Sequence, residues 1–395
     1  MPSIQSLGHP LVFSVADGRA AAPDPAGRVS VRTEVRSLEG MQKEALVRVG
    51  SGRVWRMVSD EGPYLNGTDL APFPLAFFAA GMQFSLLSQL LQCARARSVV
   101  LESVTLAQDT FYSMEGSFLR GDATGGAMPA RVAFAIESEA DPEVVAGLVR
   151  MAVDSSGPQA LMRDALTNVF ALSHNGERRR VDGVSASQGT PHEPPSFEGV
   201  APDPARPPTD GIITKVKEAE TVQGVEGGAG SSLKAEQKRT LHVHGEARST
   251  DGMAMETDIR LFKPIGSSFR FHCDETAENG GAESAPSPLA YVGAGVGFCY
   301  MTQLGRYAHI LKKGLASYSL IQDNGFRYDG SAAEGTWFVA GEPFDTQVFM
   351  ESDDGHAVAA DFVRTSERTC FLHAAMRGKH PSDVHLLLNG TEVAV

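Results

Sequence analysis

The sequence predicts an α+β protein in which one order of strands and helices occurs twice. Residues 72–97 and 287–310 are apolar on almost every side, which predicts two buried helices rather than amphipathic surface helices. Segments of alternating apolar and polar residues precede and follow each helix, and they predict antiparallel strands around it. The predicted order in each copy is three strands, a long helix, two strands and a further helix.

The two halves of the chain also match residue by residue. Pairs that lie 214 positions apart include Pro74/Pro288, Gly81/Gly295, Phe84/Phe298, Gln89/Gln303 and Glu61/Glu275. A shift of 212 positions pairs Arg36 with Arg248. One register kept over so long a span predicts a tandem duplication. At the centre of the helix the copies differ, because Ser85 stands where Cys299 stands.

The elements are predicted from periodicity and from Pro, Gly and Asp signals. In the first copy we expect strands in 28–61, 98–106 and 131–137, and helices at 74–97, 141–151 and 158–172. In the second copy we expect strands in 239–248, 255–262, 268–274, 315–320 and 345–350, helices from 287 and from about 370, and a closing segment 384–395.

Composition predicts four segments. Residues 1–27 are predicted to be a poorly ordered lead-in, 28–176 the first domain and 238–395 the second. Residues 177–237 are rich in Pro, Gly and Ser and predict a linker, in which 211–222 is expected to add one strand to a neighbouring sheet.

The charge and cysteine content exclude several classes of protein. A net charge of −13 argues against nucleic-acid and anionic-membrane partners. No signal-peptide pattern precedes the first strands, and the polar residues within both long helices argue against membrane spans. Four cysteines in 395 residues are not a disulfide scaffold. We therefore expect a cytoplasmic protein.

The run that leads from Pro288 through small residues to Cys299, with Cys370 following at the head of another helix, resembles the OsmC/Ohr family. The resemblance covers both copies outside the linker. It implies two OsmC-like domains that form an intramolecular pseudo-dimer, with strands of both copies wrapped around the central helices. It also implies reduction of organic hydroperoxides, in which Cys299 attacks, Cys370 resolves and an external dithiol, not a bound cofactor, restores the thiols.

The chain departs from the family pattern at several positions. Leu289, and the corresponding leucine of the first copy, stand where the family's peroxidases carry Glu. Phe371 follows the second cysteine where Pro is usual. In the first copy Ser85 and either Ser156 or Ala160 stand at the places of the two thiols. We therefore expect at most one peroxidase-type centre, without its carboxylate.

Two arginines are candidates for the cation of this centre. Arg36 and Arg248 precede a turn glycine by four residues and resemble the family's active-site arginine. A guanidinium there would hold a thiolate or a substrate oxygen, whereas the alternative is a surface ion pair with Glu34 or Glu246. Arg368 and His373 lie close enough in sequence to Cys370 to lower the pKa of its thiol, and His373 is a candidate catalytic residue.

Other polar and aromatic residues have less specific patterns. Gln303 lies one helical turn beyond Cys299, where it is expected to hydrogen-bond either a substrate or a buried backbone group, and Phe298 and Tyr300 are further candidates for substrate contact. His242 and His244 face one side of a strand as half of a metal site. No third ligand is evident at a telling spacing, so the sequence predicts no metal.

Three functions fit these patterns. The first is the thiol peroxidase. The second is a hydrolase of a cyclic or aromatic small molecule, with Cys299 as nucleophile, His373 as base and Arg248 as oxyanion donor. The third is a non-catalytic binder of an apolar ligand. In each case the expected partner is an apolar small molecule, and the duplicated chain is a candidate for further pairing as a homodimer.

Overall fold

A computed structural model describes residues 1–16, 24–206, 211–219, 237–263 and 266–395. The described residues form two β-sheets and seven α-helices, which confirms the α+β class. The helices are α1 Ile4–Leu7, α2 Pro74–Ala96, α3 Pro142–Asp154, α4 Gly157–Arg163, α5 Pro288–Ile310, α6 His356–Thr369 and α7 Phe371–Arg377. The Gly-rich part of the predicted linker, residues 224–232, lies outside the described residues.

The strands in chain order are β1 Val12–Ser14, β2 Arg28–Ser37, β3 Lys43–Val49, β4 Val54–Ser59, β5 Ser103–Gly116, β6 Thr124–Ala127, β7 Arg131–Glu137, β8 Val169–His174, β9 Glu177–Arg179, β10 Ser185–Ala186, β11 Ile213–Lys217, β12 Gln237–Asp251, β13 Ala254–Lys263, β14 Ser268–Cys273, β15 Ser317–Asp329, β16 Phe338–Gly341, β17 Asp345–Glu351, β18 Asp383–Leu388 and β19 Thr391–Val393.

Each sheet combines strands from both halves of the chain. The first has the order β1-β4-β3-β2-β15-β17-β8-β10, and the second has the order β11-β14-β13-β12-β5-β7-β18-β19. Strand β2 runs antiparallel to β15, with Arg36 opposite Ser319. Strand β12 runs antiparallel to β5, with Arg248 opposite Thr105. Neither half therefore contains all the strands of one sheet.

Helices α2 and α5 cross in the core between the sheets. A Cβ on Gly295 would lie 2.7 Å from the backbone nitrogen of Phe78, and one on Gly81 would lie 2.9 Å from the carbonyl oxygen of Pro288. The glycines thus permit the close contact of the two backbones. Helix α2 is long and apolar enough to cross a membrane, but 94 % of its apolar window is buried inside the protein.

Several predicted elements differ from the observed ones. The helix predicted over 158–172 ends at Arg163, because residues 169–174 form β8 and pair in parallel with β17. The strand predicted from Ser98 begins at Ser103, since Ser98 closes the end of α2 with a positive φ of 54°. Helix α6 was not predicted, because its exposed face is polar and its buried face is narrow.

Two segments predicted to lack regular structure contain some. The lead-in includes α1 and β1, and β1 pairs with β4 through Val12 and Met57. Within the predicted linker, β10 pairs with β8, and Phe197 is buried. Strand β11 forms where a strand was predicted and pairs with β14. The domain boundaries themselves stay a prediction.

Candidate functional site

The structure brings Cys299 and Cys370 together in the core. Cys299 lies at the middle of α5, and Cys370 lies at the junction where α6 ends and α7 begins. The Cys370 thiol donates to Cys299 Sγ at 3.4 Å, and both cysteines are free. Only 2 % of Cys299 and none of Cys370 is exposed. A disulfide has an S–S bond of about 2.05 Å, so the two sulfurs lie about 1.4 Å farther apart than in a disulfide.

His373 contacts Cys370 from the first turn of α7. Its Nδ1 lies 3.2 Å from Cys370 Sγ, and its ring packs against both Phe170 and Tyr300. Burial, with a smaller contribution from Arg377, lowers the pKa of His373 to about 3. The imidazole is therefore neutral at neutral pH and supplies no positive charge to the thiols.

The prediction that the neighbours of Cys370 lower its pKa is wrong. Burial, followed by the interaction with Cys299, raises the pKa of the Cys370 thiol well above its usual value. The Arg368 guanidinium donates instead to the carbonyl oxygens of Ala123 and Gly121. Cys370 is therefore a protonated donor, and Cys299 is the sulfur that accepts its hydrogen bond.

Lys43 is a cation that the sequence interpretation missed. It begins β3, is 1 % exposed and donates from Nζ to the carbonyl oxygen of Met41 at 2.5 Å. Burial lowers the pKa of Lys43, whereas the negative charges of Glu61, Asp60 and Cys299 act to raise it. This lysine therefore interacts electrostatically with Cys299. The signal in the sequence is a lysine on the same strand face as the core residues Ala45 and Val47.

Glu61 supplies the carboxylate whose absence was predicted. It follows β4, accepts a hydrogen bond from Thr302 at 3.1 Å and accepts another from Tyr64 at 3.1 Å. Burial raises the pKa of Glu61, and Lys43 opposes the rise. Glu61 and Cys299 belong to different halves of the chain. The family pattern concerns only the position of Leu289, on the same helix as Cys299, and therefore misses this carboxyl group.

A narrow cleft leads to Cys299. Its lining includes Glu61, Tyr64, Leu75, Cys299 and Gln303, and its volume is about 20 Å³. That volume holds about one water molecule. Gln303 Oε1 is buried in the cleft without a hydrogen-bond partner among the described residues. Gln303 therefore lines the cleft beside Cys299, and its contact with a substrate stays a prediction.

The two candidate arginines do not line this cleft. Arg36 forms an ion pair with Glu44 at 2.5 Å and lies over the ring of Phe197. Arg248 forms an ion pair with Glu256, and its side chain is 61 % exposed. Both pair with carboxylates of a neighbouring strand and not with the thiol, because they lie on the strand faces that point away from the central helices.

Phe298 and Tyr300 also lie outside the cleft lining. Phe298 packs edge to face against Phe77 with ring centroids 5.1 Å apart. The Tyr300 hydroxyl donates to the carbonyl oxygen of Val363 at 3.1 Å, and burial raises the pKa of Tyr300 well above its usual value. The substrate contacts predicted for these two rings are therefore replaced by core packing.

The equivalent place in the first copy has no thiols. Ser156 donates to Ser85 at 3.0 Å, as Cys370 donates to Cys299, so Ser156 rather than Ala160 occupies the second position. Glu275 accepts from Ser88 at 2.5 Å, as Glu61 accepts from Thr302. A cavity of about 810 Å³ lies here, lined by Ser85, Gln89 and Glu275 among others. Without a thiol it cannot carry the same chemistry.

The remaining two cysteines lie apart from this site. Cys93 and Cys273 are buried, and burial raises the pKa of both thiols, that of Cys93 to about 12. Neither contacts another sulfur among the described residues. Their environment favours a structural role for both.

The two histidines of the H-x-H pattern have a third neighbour. His242 Nε2 and His244 Nδ1 lie 2.5 Å and 2.8 Å from Asp109 Oδ1. Asp109 belongs to β5, which pairs with β12 across the two halves of the chain. The sequence spacing therefore could not indicate it as a ligand.

Comparisons with known proteins leave the family open. No family model and no curated protein matches the chain. Among the similar solved structures is the crystal structure of an OsmC-like hydroperoxide resistance protein from Jannaschia sp. CCS1. The two are 22 % identical over 34 % of this chain and 83 % of that one, with a TM-score of 0.22. A similarity at this level establishes neither the family nor the activity of this protein.

Proposed function

We propose that the protein is a thiol-dependent, peroxidase-like oxidoreductase. The observation that carries the proposal is the 3.4 Å contact between two free thiols beside a buried lysine and a buried carboxyl group. Two thiols in contact meet the distance requirement for sulfenic acid formation at one followed by condensation with the other to a disulfide.

The contacts assign a role to each group. Cys299 attacks, because it accepts the hydrogen bond from Cys370 and lies within the field of Lys43. Cys370 resolves, since burial keeps it protonated until Cys299 has reacted. Glu61 is the proton donor to the leaving group, because its raised pKa favours the neutral acid in the empty cleft.

The reaction balances as follows. The Cys299 sulfur attacks the terminal oxygen of ROOH, the O–O bond breaks, the leaving alkoxide takes the Glu61 proton to form ROH, and Glu61 takes the proton that Cys299 loses. The Cys370 thiol then attacks the sulfenic sulfur, and a disulfide and one water molecule form. An external dithiol reduces the disulfide and restores both thiols. The cleft volume of about 20 Å³ means that a bulky R group requires side chains at the entrance to move.

We further propose that the chain is a duplicated, intramolecular pseudo-dimer with one active site. The two sheets support this, because corresponding strands follow the same order in both. The polar pairs Ser85–Ser156 and Cys299–Cys370 occupy equivalent helix positions. In this arrangement the first copy supplies Lys43 and Glu61 to the thiols of the second.

The geometry gives less support to a hydrolase. Its oxyanion donor, Arg248, lies outside the cleft lining, and its base, His373, contacts Cys370 rather than Cys299. The small cleft also leaves little room for a cyclic or aromatic ligand. The same lack of room weighs against a non-catalytic binder at this place.

Thiol mapping after one equivalent of an organic hydroperoxide tests the peroxidase. We expect a Cys299–Cys370 disulfide within seconds, while Cys93 and Cys273 stay reduced as internal controls. In Cys370→Ser a sulfenic acid at Cys299 should accumulate and react with dimedone. In Cys299→Ser no oxidation of Cys370 should occur. If both thiols of the unsubstituted chain stay reduced, the proposal fails.

A further inference from the structure

Three side chains converge on the outer face of the second sheet. His242 and His244 alternate with Leu241 and Val243, which point into the core, so both imidazoles point away from the central helices. Asp109 stands opposite His244 on the paired strand β5. Its Oδ1 lies 2.5 Å from His242 Nε2 and 2.8 Å from His244 Nδ1. All three side chains are between 15 % and 30 % exposed.

Each histidine is oriented by further contacts. The other ring nitrogen of His244, Nε2, lies 3.2 Å from Glu246 Oε1. A carboxylate behind a ligating imidazole is the usual outer partner in metal sites, where it fixes the ring and raises its basicity. The His242 ring stacks between Phe111 and Phe262, with both centroid distances 4.7 Å. The ligand nitrogens are therefore held in place by groups other than Asp109.

The equivalent position of the first sheet lacks such a donor set. Asp323, which lies 214 positions after Asp109, accepts two hydrogen bonds of 2.8 Å from the Arg32 guanidinium. Arg32 stands 212 positions before His244 and has no lone pair to offer a metal. The His192 imidazole also lies 3.2 Å from Asp323, so this carboxylate faces an arginine and one imidazole, while its counterpart faces two imidazoles.

We propose that Asp109, His242 and His244 bind a divalent first-row transition metal, with zinc as the reference ion. Two neutral imidazole nitrogens and one carboxylate oxygen are three of the four ligands of a tetrahedral zinc site, and water completes it. Zinc bonds of about 2.0–2.2 Å set neighbouring ligand atoms about 3.4 Å apart. Asp109 Oδ1 must therefore move away from both nitrogens by less than about 1 Å. Two guanidiniums lie nearby, that of Arg260 over the Phe262 ring and that of Arg131 over the Phe111 ring. Their positive charges weaken the attraction of the site for a dication, but they lie over the rings and not on the ligand atoms.

Metal binding is measured best in a chain without the competing thiol pair. In Cys299→Ser/Cys370→Ser, dialysis against zinc followed by elemental analysis should give one zinc per chain. Competition with a chromophoric chelator should show binding at least about 100-fold weaker in Asp109→Asn and in His242→Gln, because each removes a ligand. Glu246→Gln should weaken binding by about 10-fold, as expected for an outer partner. Asp323→Asn is the matched control and should bind zinc as tightly as the parent.

Two results would overturn the proposal. One is a parent chain that binds no stoichiometric zinc. The other is equal affinity in Asp109→Asn and Asp323→Asn when both keep the far-ultraviolet circular dichroism of the parent. Should a ligand variant fail to fold, zinc protection of His242 and His244 from carbethoxylation in the unsubstituted chain decides the question. Absence of protection at saturating zinc contradicts the site.

Discussion

Lys43 and Arg36 show how strand parity decides which cation reaches a thiol. Lys43 lies on the face of β3 that packs into the core, whereas Arg36 of β2 lies on the opposite face of the sheet, where it pairs with Glu44 of β3. A change of one residue in register would exchange the two faces. The family resemblance directed attention to the arginine, but the alternation of β3 makes the lysine the group near Cys299.

Lys43→Met tests this assignment. The substitution introduces the residue type found 212 positions later, at Met255. Removal of the ammonium should slow the reaction of Cys299 with a hydroperoxide by at least about 10-fold, since a neighbouring cation stabilises the reactive thiolate. Stopped-flow measurement of peroxide consumption checks the rate. Lys215→Met is the control, because Lys215 pairs with Asp69 and does not line the cleft. Equal rates in both variants would remove Lys43 from the mechanism.

His373 predicts an acid dependence of stability. Its pKa of about 3 in the folded protein lies below the value of 6.5 for a free imidazole. Between these values the unfolded chain binds more protons, so stability falls as pH decreases through this window. Urea denaturation at pH 7 and pH 5 should show that His373→Gln loses less free energy of unfolding on acidification than the parent does. The difference should be up to about 1.4 kcal/mol per pH unit.

The control for this measurement is His385→Gln, since His385 is half exposed on β18. It should leave the pH dependence of the parent unchanged. An identical acid response in His373→Gln and in the parent would contradict a neutral, buried imidazole.

At the scale of elements, the crossing of α2 and α5 sets the position of Cys299. A methyl group on Gly295 would meet the backbone of Phe78, which cannot move aside as a flexible side chain would. Gly295→Ala should therefore lower the free energy of unfolding by about 1–3 kcal/mol, as overpacking does. Urea denaturation measures the change.

Gly147→Ala is a control of opposite sign. Gly147 lies within α3, and the nearest atom to an added Cβ is the end of the Arg150 side chain at 3.9 Å. This substitution should raise stability by about 0.5–1 kcal/mol, because alanine loses less backbone entropy in a helix. A destabilisation equal to that of Gly295→Ala would show that helix propensity, not the crossing, controls both positions.

At the scale of the whole molecule, the shared sheets make each half dependent on the other. Residues 238–395 contain β12 and β18 but lack β5 and β7, with which these strands pair. Expressed alone, this half should aggregate or self-associate through its exposed strand edges. Size-exclusion chromatography checks the prediction, and co-expression with residues 1–219 should restore a soluble complex. A folded, monomeric half would contradict it.

The local sequence pattern predicted those elements that are either apolar throughout or alternate regularly between buried and exposed residues. The strand at Arg131–Glu137 alternates cleanly, and both long helices begin at a proline and are apolar throughout. Residues 164–172 were predicted as helix because their spacing fits one, but pairing with β17 made residues 169–174 a strand. Local propensity is weaker than a row of backbone hydrogen bonds to a neighbouring strand.

The sequence by itself determined the α+β class, the two buried helices and the two cysteines as the central candidates. Only the tertiary structure decided which groups surround the thiols. Glu61 and Lys43 reach Cys299 from the first half of the chain, and Asp109 reaches the histidines across a strand pair. The physical reason is that periodicity reports which face of an element is buried, whereas the identity of the facing element depends on long-range strand pairing and helix packing.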